Sequence, residues 1–255
     1  MVDWPTAVLV GVFGLSVGSF LNVCIHRLPL HESLVWPGSY CPKCRTPLRW
    51  YDNVPVVGYA MLRGRCRSCG TRISALYPIV EVVTAAVFVA GYLLFGLQPL
   101  LVARLLFGCA MIVLFVIDLQ HRILPNVITL PGVFVGFAFS WFLPPGWFDS
   151  LMGILVGGGV LLVIAEAYYR VRKEEGLGMG DVKMLAMIGA FLGWKLKLVT
   201  LVLSSFMGSI IGLAVIALKK GDMKYALPFG TFLAIGALVS SAAGDAMLRW
   251  YLGYY

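Results

Sequence analysis

The chain has 255 residues, of which 60% are hydrophobic and 13% are charged. A soluble globular core needs far fewer apolar residues, so this composition excludes an ordinary soluble domain and indicates a polytopic membrane protein. The net charge of +8 would suit nucleic-acid binding in a soluble protein. Here we interpret it as a signal of membrane topology and expect no nucleic-acid partner.

Eight apolar windows approach the roughly 20 residues that cross the hydrocarbon core of a bilayer. They lie at 5–25, 78–97, 99–117, 127–143, 151–169, 184–194, 198–218 and 228–252. The sixth window is short, because a helix over 182–197 would rise about 24 Å. We expect it to span a locally thinned membrane, with Lys195 and Lys197 snorkelling at its end. The predicted fold is an all-α membrane protein with about eight transmembrane helices.

Charged residues predict the orientation of these spans. Asp3 precedes the first window and Arg27 follows it, the reverse of a secretory signal, so we expect an uncleaved anchor with its N-terminus outside. If the spans then alternate, 16 of the 20 Lys and Arg residues lie inside, as the positive-inside rule requires. Small residues in the first span, Gly11, Gly14 and Gly18, are typical of close helix packing.

One polar segment, residues 29–76, is long enough to fold outside the membrane. It separates the first span, residues 1–28, from the remaining membrane domain, residues 77–255. The segment carries two C-x-x-C pairs with 21 residues between them, a spacing close to that of four-thiolate zinc sites. The four candidate ligands are Cys41, Cys44, Cys66 and Cys69. A closed four-thiolate site has no open position for substrate, so the Zn²⁺ would be structural.

Disulfides or a redox pair are the alternatives for these four cysteines. The predicted cytosolic location of the segment favours zinc, because the cytosol keeps thiols reduced. Cys24 and Cys109 lie within apolar windows and are interpreted as small packing residues.

Five acidic residues lie in or at the edges of the predicted spans: Glu81, Asp118, Glu166, Asp181 and Asp245. An intramembrane acid is costly, so each is a functional hypothesis. Asp118 ends the third window and Asp181 begins the sixth, both on the predicted cytosolic side, so these two can meet. One acid of such a pair can take a proton from a water that attacks a peptide carbonyl, while the other protonates the leaving amine.

Structural explanations for the same acids remain open. Asp181 could cap its helix, and Asp118 could pair with Arg122 at i+4. The glycines of Gly178-Met179-Gly180-Asp181 favour a binding role, because residues without a Cβ let an extended substrate backbone approach. Glu166 and Asp245 are interpreted as structural.

Six ordered motifs extend over nearly the whole chain: "GSFLNVCIHRLP" at 18–29, "WYDNVP" at 50–55 between the cysteine pairs, "YPIVE" at 77–81, "DLQHRILPN" at 118–126, "GMGDVKML" at 178–185 and "PFG" at 228–230. Together they resemble the type IV prepilin peptidases, which belong to the G-x-G-D group of intramembrane aspartyl proteases. The resemblance implies a bacterial inner-membrane enzyme that cuts the basic leader from prepilins or pseudopilins after a glycine, at the cytosolic face. It also implies that Asp118 and Asp181 are the catalytic acids.

The resemblance further implies N-methylation of the new N-terminus, usually phenylalanine, with S-adenosylmethionine. The chain has no dinucleotide-type glycine loop, so we expect this cofactor between the zinc module and the membrane edge, near Glu81. Glu81 either positions a substrate or cofactor or is a structural acid. Other candidate substrate-binding residues are Gly178, Gly180, Lys183 and Pro228, although Pro228 could equally mark a helix start.

Two positions depart from the family pattern. Asn126 stands where an acid is expected, and Thr231 stands where a second proline is usual. We expect neither position to touch the catalytic acids. The rival hypothesis from another class is a membrane transporter or scaffold, with zinc knuckles that bind a partner and acids that carry protons.

Overall fold

A computed structural model describes residues 3–159, 162–163, 166–167, 169–170, 178–218 and 228–253. The predicted window at 151–169 therefore falls partly outside the described residues, as do parts of the segments 170–181 and 219–230. The helices are α1 Trp4–Arg27, α2 Val57–Met61, α3 Leu76–Phe95, α4 Pro99–His121, α5 Asn126–Phe139, α6 Trp147–Ile154, α7 Met179–Leu218 and α8 Phe229–Leu252. Short 3₁₀ turns lie at Leu28–Leu30 and Trp50–Asn53, and a π turn lies at Leu155–Gly159.

Five described helices are long and apolar enough to cross a membrane. They are Trp4–Leu30, Leu76–Phe95, Pro99–His121, Met179–Ala214 and Phe229–Leu252. The described ranges contain no strand, only two isolated β-bridges. The prediction of a helical polytopic membrane protein is confirmed, whereas eight spans are not, since α5 is a shorter apolar helix of 14 residues.

The sixth and seventh predicted windows form one kinked helix. α7 breaks its helical geometry at Gly193, where φ is 75° and ψ is 174°. Glycine adopts this region readily because it lacks a Cβ. The first arm, residues 179–192, rises about 21 Å. The predicted bounds of 182–197 are therefore wrong at both ends. The first arm of α7 is nevertheless short, as expected.

Lys197 does not snorkel, which corrects a second expectation. Its side chain is 1% exposed, and Nζ donates a hydrogen bond to the carbonyl oxygen of Gly153 at 3.1 Å. The kink at Gly193 separates Lys197 from the first arm and turns it toward α6. Lys195 is exposed and lies 5.8 Å from the centre of the Trp194 ring.

The chain divides into two compact units, residues 1–101 and 102–255, called unit 1 and unit 2 below. Unit 1 contains α1, the cysteine segment and α3. In unit 2 a core of fully buried side chains joins α4, α7 and α8. Its members include Phe107, Met111, Leu114, Met184, Met187, Ile188 and Leu233.

Close contact between α1 and α3 holds unit 1 together. A Cβ on Gly18 would lie 2.7 Å from the Cα of Glu81, and one on Gly14 would lie 2.8 Å from the Cα of Ala85. Such distances are far below van der Waals contact, so the helices can approach this closely because these positions are glycine. The predicted packing role of these glycines is confirmed.

Gly18→Ala should therefore destabilise unit 1. The added methyl would push against backbone, and overpacking of this kind costs about 1–3 kcal/mol. The midpoint of thermal unfolding in detergent should fall relative to wild type. Gly38→Ala is the matched control, because a Cβ at Gly38 meets no atom within 4 Å. Equal midpoints for Gly18→Ala and wild type would contradict this packing.

Candidate functional sites

The four predicted metal ligands converge in unit 1. The sulfur atoms of Cys41, Cys44, Cys66 and Cys69 all lie within 4.8 Å of one another. Cys41 Sγ is 3.9 Å from Cys69 Sγ, and Cys44 Sγ is 3.9 Å from Cys66 Sγ. A tetrahedral site with metal–sulfur bonds of about 2.3 Å places its sulfurs roughly 3.8 Å apart. The cluster could therefore hold a metal ion, and its distances exceed a disulfide bond of about 2.05 Å.

Two similar turns present these sulfurs. The backbone N–H of Cys41 donates to the carbonyl of Thr46 at 3.0 Å, and that of Cys66 donates to the carbonyl of Thr71 at 2.8 Å. Each C-x-x-C is followed by a residue with positive φ. This residue is Arg45 in the first turn, with φ of 55°, and Gly70 in the second, with φ of 67°. The repeated geometry points two sulfurs from each turn at one centre.

Nearby hydroxyl groups favour the thiolate form of the exposed cysteines. The hydroxyl of Thr71 lies 3.4 Å from Cys69 Sγ and lowers the pKa of that thiol to about 6. Thr46 lies 3.3 Å from Cys44 Sγ in the same way and also lowers its pKa. Because metals bind the thiolate rather than the thiol, these contacts suit a metal site near neutral pH.

A bidentate ion pair ties the second turn to the intervening segment. Arg67 Nη2 is 2.6 Å from Asp52 Oδ1, and Nε is 3.0 Å from Oδ2. The guanidinium holds the pKa of Asp52 below its usual value. The pair therefore contributes stability at neutral pH that is lost as the pH falls through this lowered pKa.

Glu81 lies at the start of α3, beside the cysteine segment. Its side chain is buried, at 7% exposure, and Oε2 accepts a hydrogen bond from the backbone N–H of Val56 at 2.7 Å. Asn22 of α1 is buried nearby and donates to the carbonyl of Tyr77 at 3.0 Å. Glu81 is thus part of the wall between the helices and the metal-binding segment.

In unit 2, Asp118 lies near the C-terminal end of α4 and is 5% exposed. Its Oδ2 accepts two hydrogen bonds from Thr231, one from the backbone N–H at 2.7 Å and one from the hydroxyl at 3.0 Å. Thr231 lies in the first turn of α8, where backbone N–H groups have no partner within the helix. Asp118 therefore accepts an N-terminal N–H of α8, and the positive end of that helix stabilises its charge.

Asp181 lies in the first turn of α7 and is partly buried. Among the described residues, no hydrogen-bond donor contacts its carboxylate. It is near enough to Asp118 for the charge of one to act on the other. Asp181 is the third residue of α7 rather than the residue before the helix, and its backbone N–H donates to the carbonyl of Gly178 at 3.0 Å.

Leu124 connects the elements that carry the two acids. A Cβ on Gly180 would lie 3.0 Å from Leu124 Cβ, and a Cβ on Gly230 would lie 3.0 Å from Leu124 Cδ1 and 2.9 Å from Asp118 Oδ2. Both glycines therefore let a helix start approach the segment that follows Asp118. Gly180 has a packing function in addition to any contact with a substrate.

The two departures from the family pattern have different outcomes. The expectation that neither touches the acids is wrong for Thr231, which donates both hydrogen bonds to Asp118. A proline there would have neither an N–H nor a hydroxyl. Asn126 begins α5, and its Oδ1 accepts a hydrogen bond from Lys183 Nζ at 2.9 Å. Lys183 thus links the start of α7 to the start of α5.

The remaining predicted residues lie at helix ends or on surfaces. Gly178 is exposed immediately before α7, and Pro228 immediately precedes α8 as its N-cap. Glu166 pairs with Arg170 at 2.9 Å on an exposed surface, and Asp245 is exposed. These acids are not arranged along a buried path in the part of the chain that the structure describes.

Three features were not predicted from the sequence. They are the hydrogen bonds from Thr231 to Asp118, the ion pair between Arg67 and Asp52, and the burial of Lys197. Thr231 carried the clearest signal, because it replaces the proline that the family pattern predicts. The other two depend on contacts between separate segments, which no local sequence pattern marks.

Two family models match the chain, one in each compact unit. A family model described as "Bacterial Peptidase A24 N-terminal domain" matches residues 12–95, and one described as "Type IV leader peptidase family" matches residues 105–213. No solved structure shows significant similarity to the chain.

Curated relatives with the name "Prepilin leader peptidase/N-methyltransferase" match most of the chain. The protein from Aeromonas salmonicida (strain A449) is 37% identical over 98% of this chain and 95% of its own length. The protein from Pseudomonas aeruginosa is 35% identical over 95% of this chain and 92% of its own length. One from Myxococcus xanthus is 42% identical over 81% of this chain and 62% of its own length. These relatives do not favour a transporter or scaffold, and they confirm the resemblance: the chain belongs to the type IV leader peptidase family.

Proposed function

We propose that this protein is a prepilin peptidase that also methylates the N-terminus it creates. The observation that supports proteolysis most directly is that the start of α7, which carries Asp181, packs against Leu124 just after α4, the helix that carries Asp118. The names of the curated relatives support both activities. The substrates would be type IV prepilins or pseudopilins, cut after a glycine at the end of a basic leader.

Asp118 and Asp181 would divide the two proton transfers of amide hydrolysis. Hydrogen bonds to a carboxylate stabilise its charged form, and Asp118 accepts two of them while Asp181 accepts none from the described residues. We therefore assign Asp118 as the base that takes a proton from the attacking water. Asp181 gives its proton to the carbonyl oxygen. When the tetrahedral intermediate collapses, Asp118 gives the water-derived proton to the leaving amine, and Asp181 recovers a proton from a hydroxyl of the intermediate. The products are a carboxylic acid and a free amine, so no covalent intermediate is needed.

The neighbours of the acids suit an extended peptide. Gly178 is exposed beside Asp181 and has no side chain to block a substrate backbone. Lys183 is anchored by Asn126 and would hold the start of α7 in place. Pro228 would fix the start of α8, which supplies Thr231. The family resemblance implies substrate-binding roles for these residues, and we propose the same roles here.

The helices and the family support a multi-pass location in the inner membrane. We place the protein in the bacterial inner membrane with several spans, the N-terminus outside, and the cysteine segment and catalytic acids at the cytosolic face. A prepilin would enter from the bilayer with its apolar helix, which begins just after the scissile bond. The short first arm of α7 would thin the membrane beside Asp181 and ease this entry.

The cysteine cluster would hold a structural Zn²⁺. Its four thiolates form a closed set, which leaves no position for substrate water. A segment of about fifty residues has too small a core to fold alone, so the metal would supply folding energy.

The methyl group would come from S-adenosylmethionine. When bound, this cofactor supplies an electrophilic methyl: the amine nitrogen forms the new N–C bond, the S–C electron pair stays on sulfur, and the amine proton passes to water. We expect it to bind in unit 1, beside the cysteine segment.

Replacing either acid should abolish cleavage. General acid–base catalysis contributes about 10²–10⁴-fold, so Asp118→Asn and Asp181→Asn should each lower kcat for leader removal from a purified prepilin by at least the lower figure. Asp245→Asn is the control, because it removes an exposed carboxylate of the same unit. Undiminished cleavage by either variant would show that Asp118 and Asp181 do not act together as the catalytic pair.

Substitutions of Thr231 should shift the pH dependence of cleavage. Thr231→Val removes the hydroxyl, Thr231→Pro removes both donors, and Thr231→Ser keeps both. Other charges that face Asp118 are those of Arg122, just after the end of α4, and Asp181 on α7. Because the base acts in its ionised form, loss of a donor should move the acidic limb of kcat/KM to higher pH. A hydrogen bond to a charged group is worth about 1.5–3 kcal/mol, so the shift for Thr231→Val should be about one pH unit or more.

The serine variant is the matched control for this series and should keep the wild-type profile. If Thr231→Val and Thr231→Pro also keep it, Thr231 does not set the ionisation of Asp118. The assignment of Asp118 as the base would then be wrong, even if both acids prove essential.

Native mass spectrometry should find one zinc ion per chain. In Cys41→Ser, or after chelation, trypsin should cleave residues 29–76 much faster, because structural zinc supplies about 10–16 kcal/mol of binding free energy in small domains. Cys109→Ser, which removes a thiol from unit 2, should retain the metal. A metal-free segment that resists trypsin as well as the zinc-loaded one would refute the structural role.

A further inference from the structure

A cavity of about 370 Å³ lies within unit 1, between the cysteine segment and the cytosolic ends of α1 and α3. This volume is within the range of small-molecule sites in proteins. Its lining includes the rings of Tyr40, Tyr59 and Tyr77 and the side chains of Asn22, His26 and Glu81. Cys41 and Cys66 also border it, so the metal-binding turns form part of its wall.

Glu81 is the feature of this cavity that points to a particular ligand. Its carboxylate is buried and accepts hydrogen bonds from neutral groups, the Val56 backbone N–H at 2.7 Å and the hydroxyl of Ser19. Within residues 3–101 the described ion pair is that of Asp52 with Arg67, so Glu81 has no cationic partner in its own unit. A buried carboxylate without a counter-charge is costly, and a cationic ligand would relieve this cost.

The other charged groups near the cavity are already used or lie at its rim. Arg27 donates to the carbonyl oxygens of Ser33 and Gly38 at 2.8 and 3.0 Å. Asp52 is neutralised by Arg67. Arg72 is exposed at the border of the cavity, where a guanidinium suits a ligand carboxylate. The cavity thus combines a buried anion, aromatic walls and a cation at its edge.

We propose that this cavity binds S-adenosylmethionine and that Glu81 selects its positively charged sulfonium. The aromatic walls suit an adenine ring, and the rim arginine suits the amino-acid carboxylate. Methyl transfer leaves a neutral thioether, S-adenosylhomocysteine, so a site that depends on charge holds the donor and releases the product. The choice of ligand rests on the methyltransferase activity proposed above, whereas the charge selectivity rests on Glu81 itself.

Equilibrium binding to the purified full-length protein tests this inference without measuring catalysis. Titration calorimetry with S-adenosylmethionine and with S-adenosylhomocysteine gives the preference of each variant. Wild type should bind the cation at least about tenfold more tightly than the thioether, the scale of close charge pairs. Glu81→Gln should lose this preference while its affinity for the thioether stays within about threefold. The amide oxygen can still accept the Val56 N–H, so the change removes charge rather than the contact.

Two further variants keep the test interpretable. Glu81→Asp retains a carboxylate and should retain a preference for the cation. Asp3→Asn removes a carboxylate at the far end of α1 and should behave as wild type. Zinc content and the thermal midpoint check that each variant is folded.

Three results would overturn the inference: Glu81→Gln still prefers the cation, wild type binds both ligands equally, or wild type binds neither. Failure of the proposed methyltransferase activity would look different: the cation would bind with its Glu81-dependent preference, but no methyl group would reach the cleaved pilin.

Discussion

Leu124 packs against two glycines, and the candidate proteolytic site depends on this contact. A Cβ on Gly180 or Gly230 would lie 3.0 Å from Leu124, closer than ordinary van der Waals contact. Gly180 immediately precedes Asp181, and Gly230 immediately precedes Thr231, the donor to Asp118. One apolar side chain after α4 therefore sets how closely the starts of α7 and α8 approach the end of α4. The two acids approach each other because three helix ends share this contact.

Helix ends also explain why an acid can be buried at this position. A carboxylate in an apolar span is costly unless it is hydrogen-bonded. Asp118 obtains a backbone N–H from the first turn of α8, where such groups have no partner within the helix, and a hydroxyl from the same residue. Asp181 has no comparable donor among the described residues. The same environment that lets the pair exist thus makes its two members chemically unequal.

The sequence predicted those parts of the sites that short motifs encode. The four cysteines could be found from their spacing, and Asp118 and Asp181 from their positions at the ends of apolar windows. The break of α7 at Gly193 and the burial of Lys197 could not, because an apolar run has no local signal for a kink or for a carbonyl on another helix. Thr231 was noticed as a departure, but its contact with Asp118 joins segments more than a hundred residues apart.

An experimental structure with a prepilin-like peptide would test the central claim most directly. The peptide would carry a hydroxyl-bearing carbon in place of the scissile carbonyl, to imitate the tetrahedral intermediate. We predict that the carboxylates of Asp118 and Asp181 both lie about 2.6–3.2 Å from that hydroxyl. A complex in which one carboxylate is out of reach, with side chains of another helix packed between the two acids, would contradict the account.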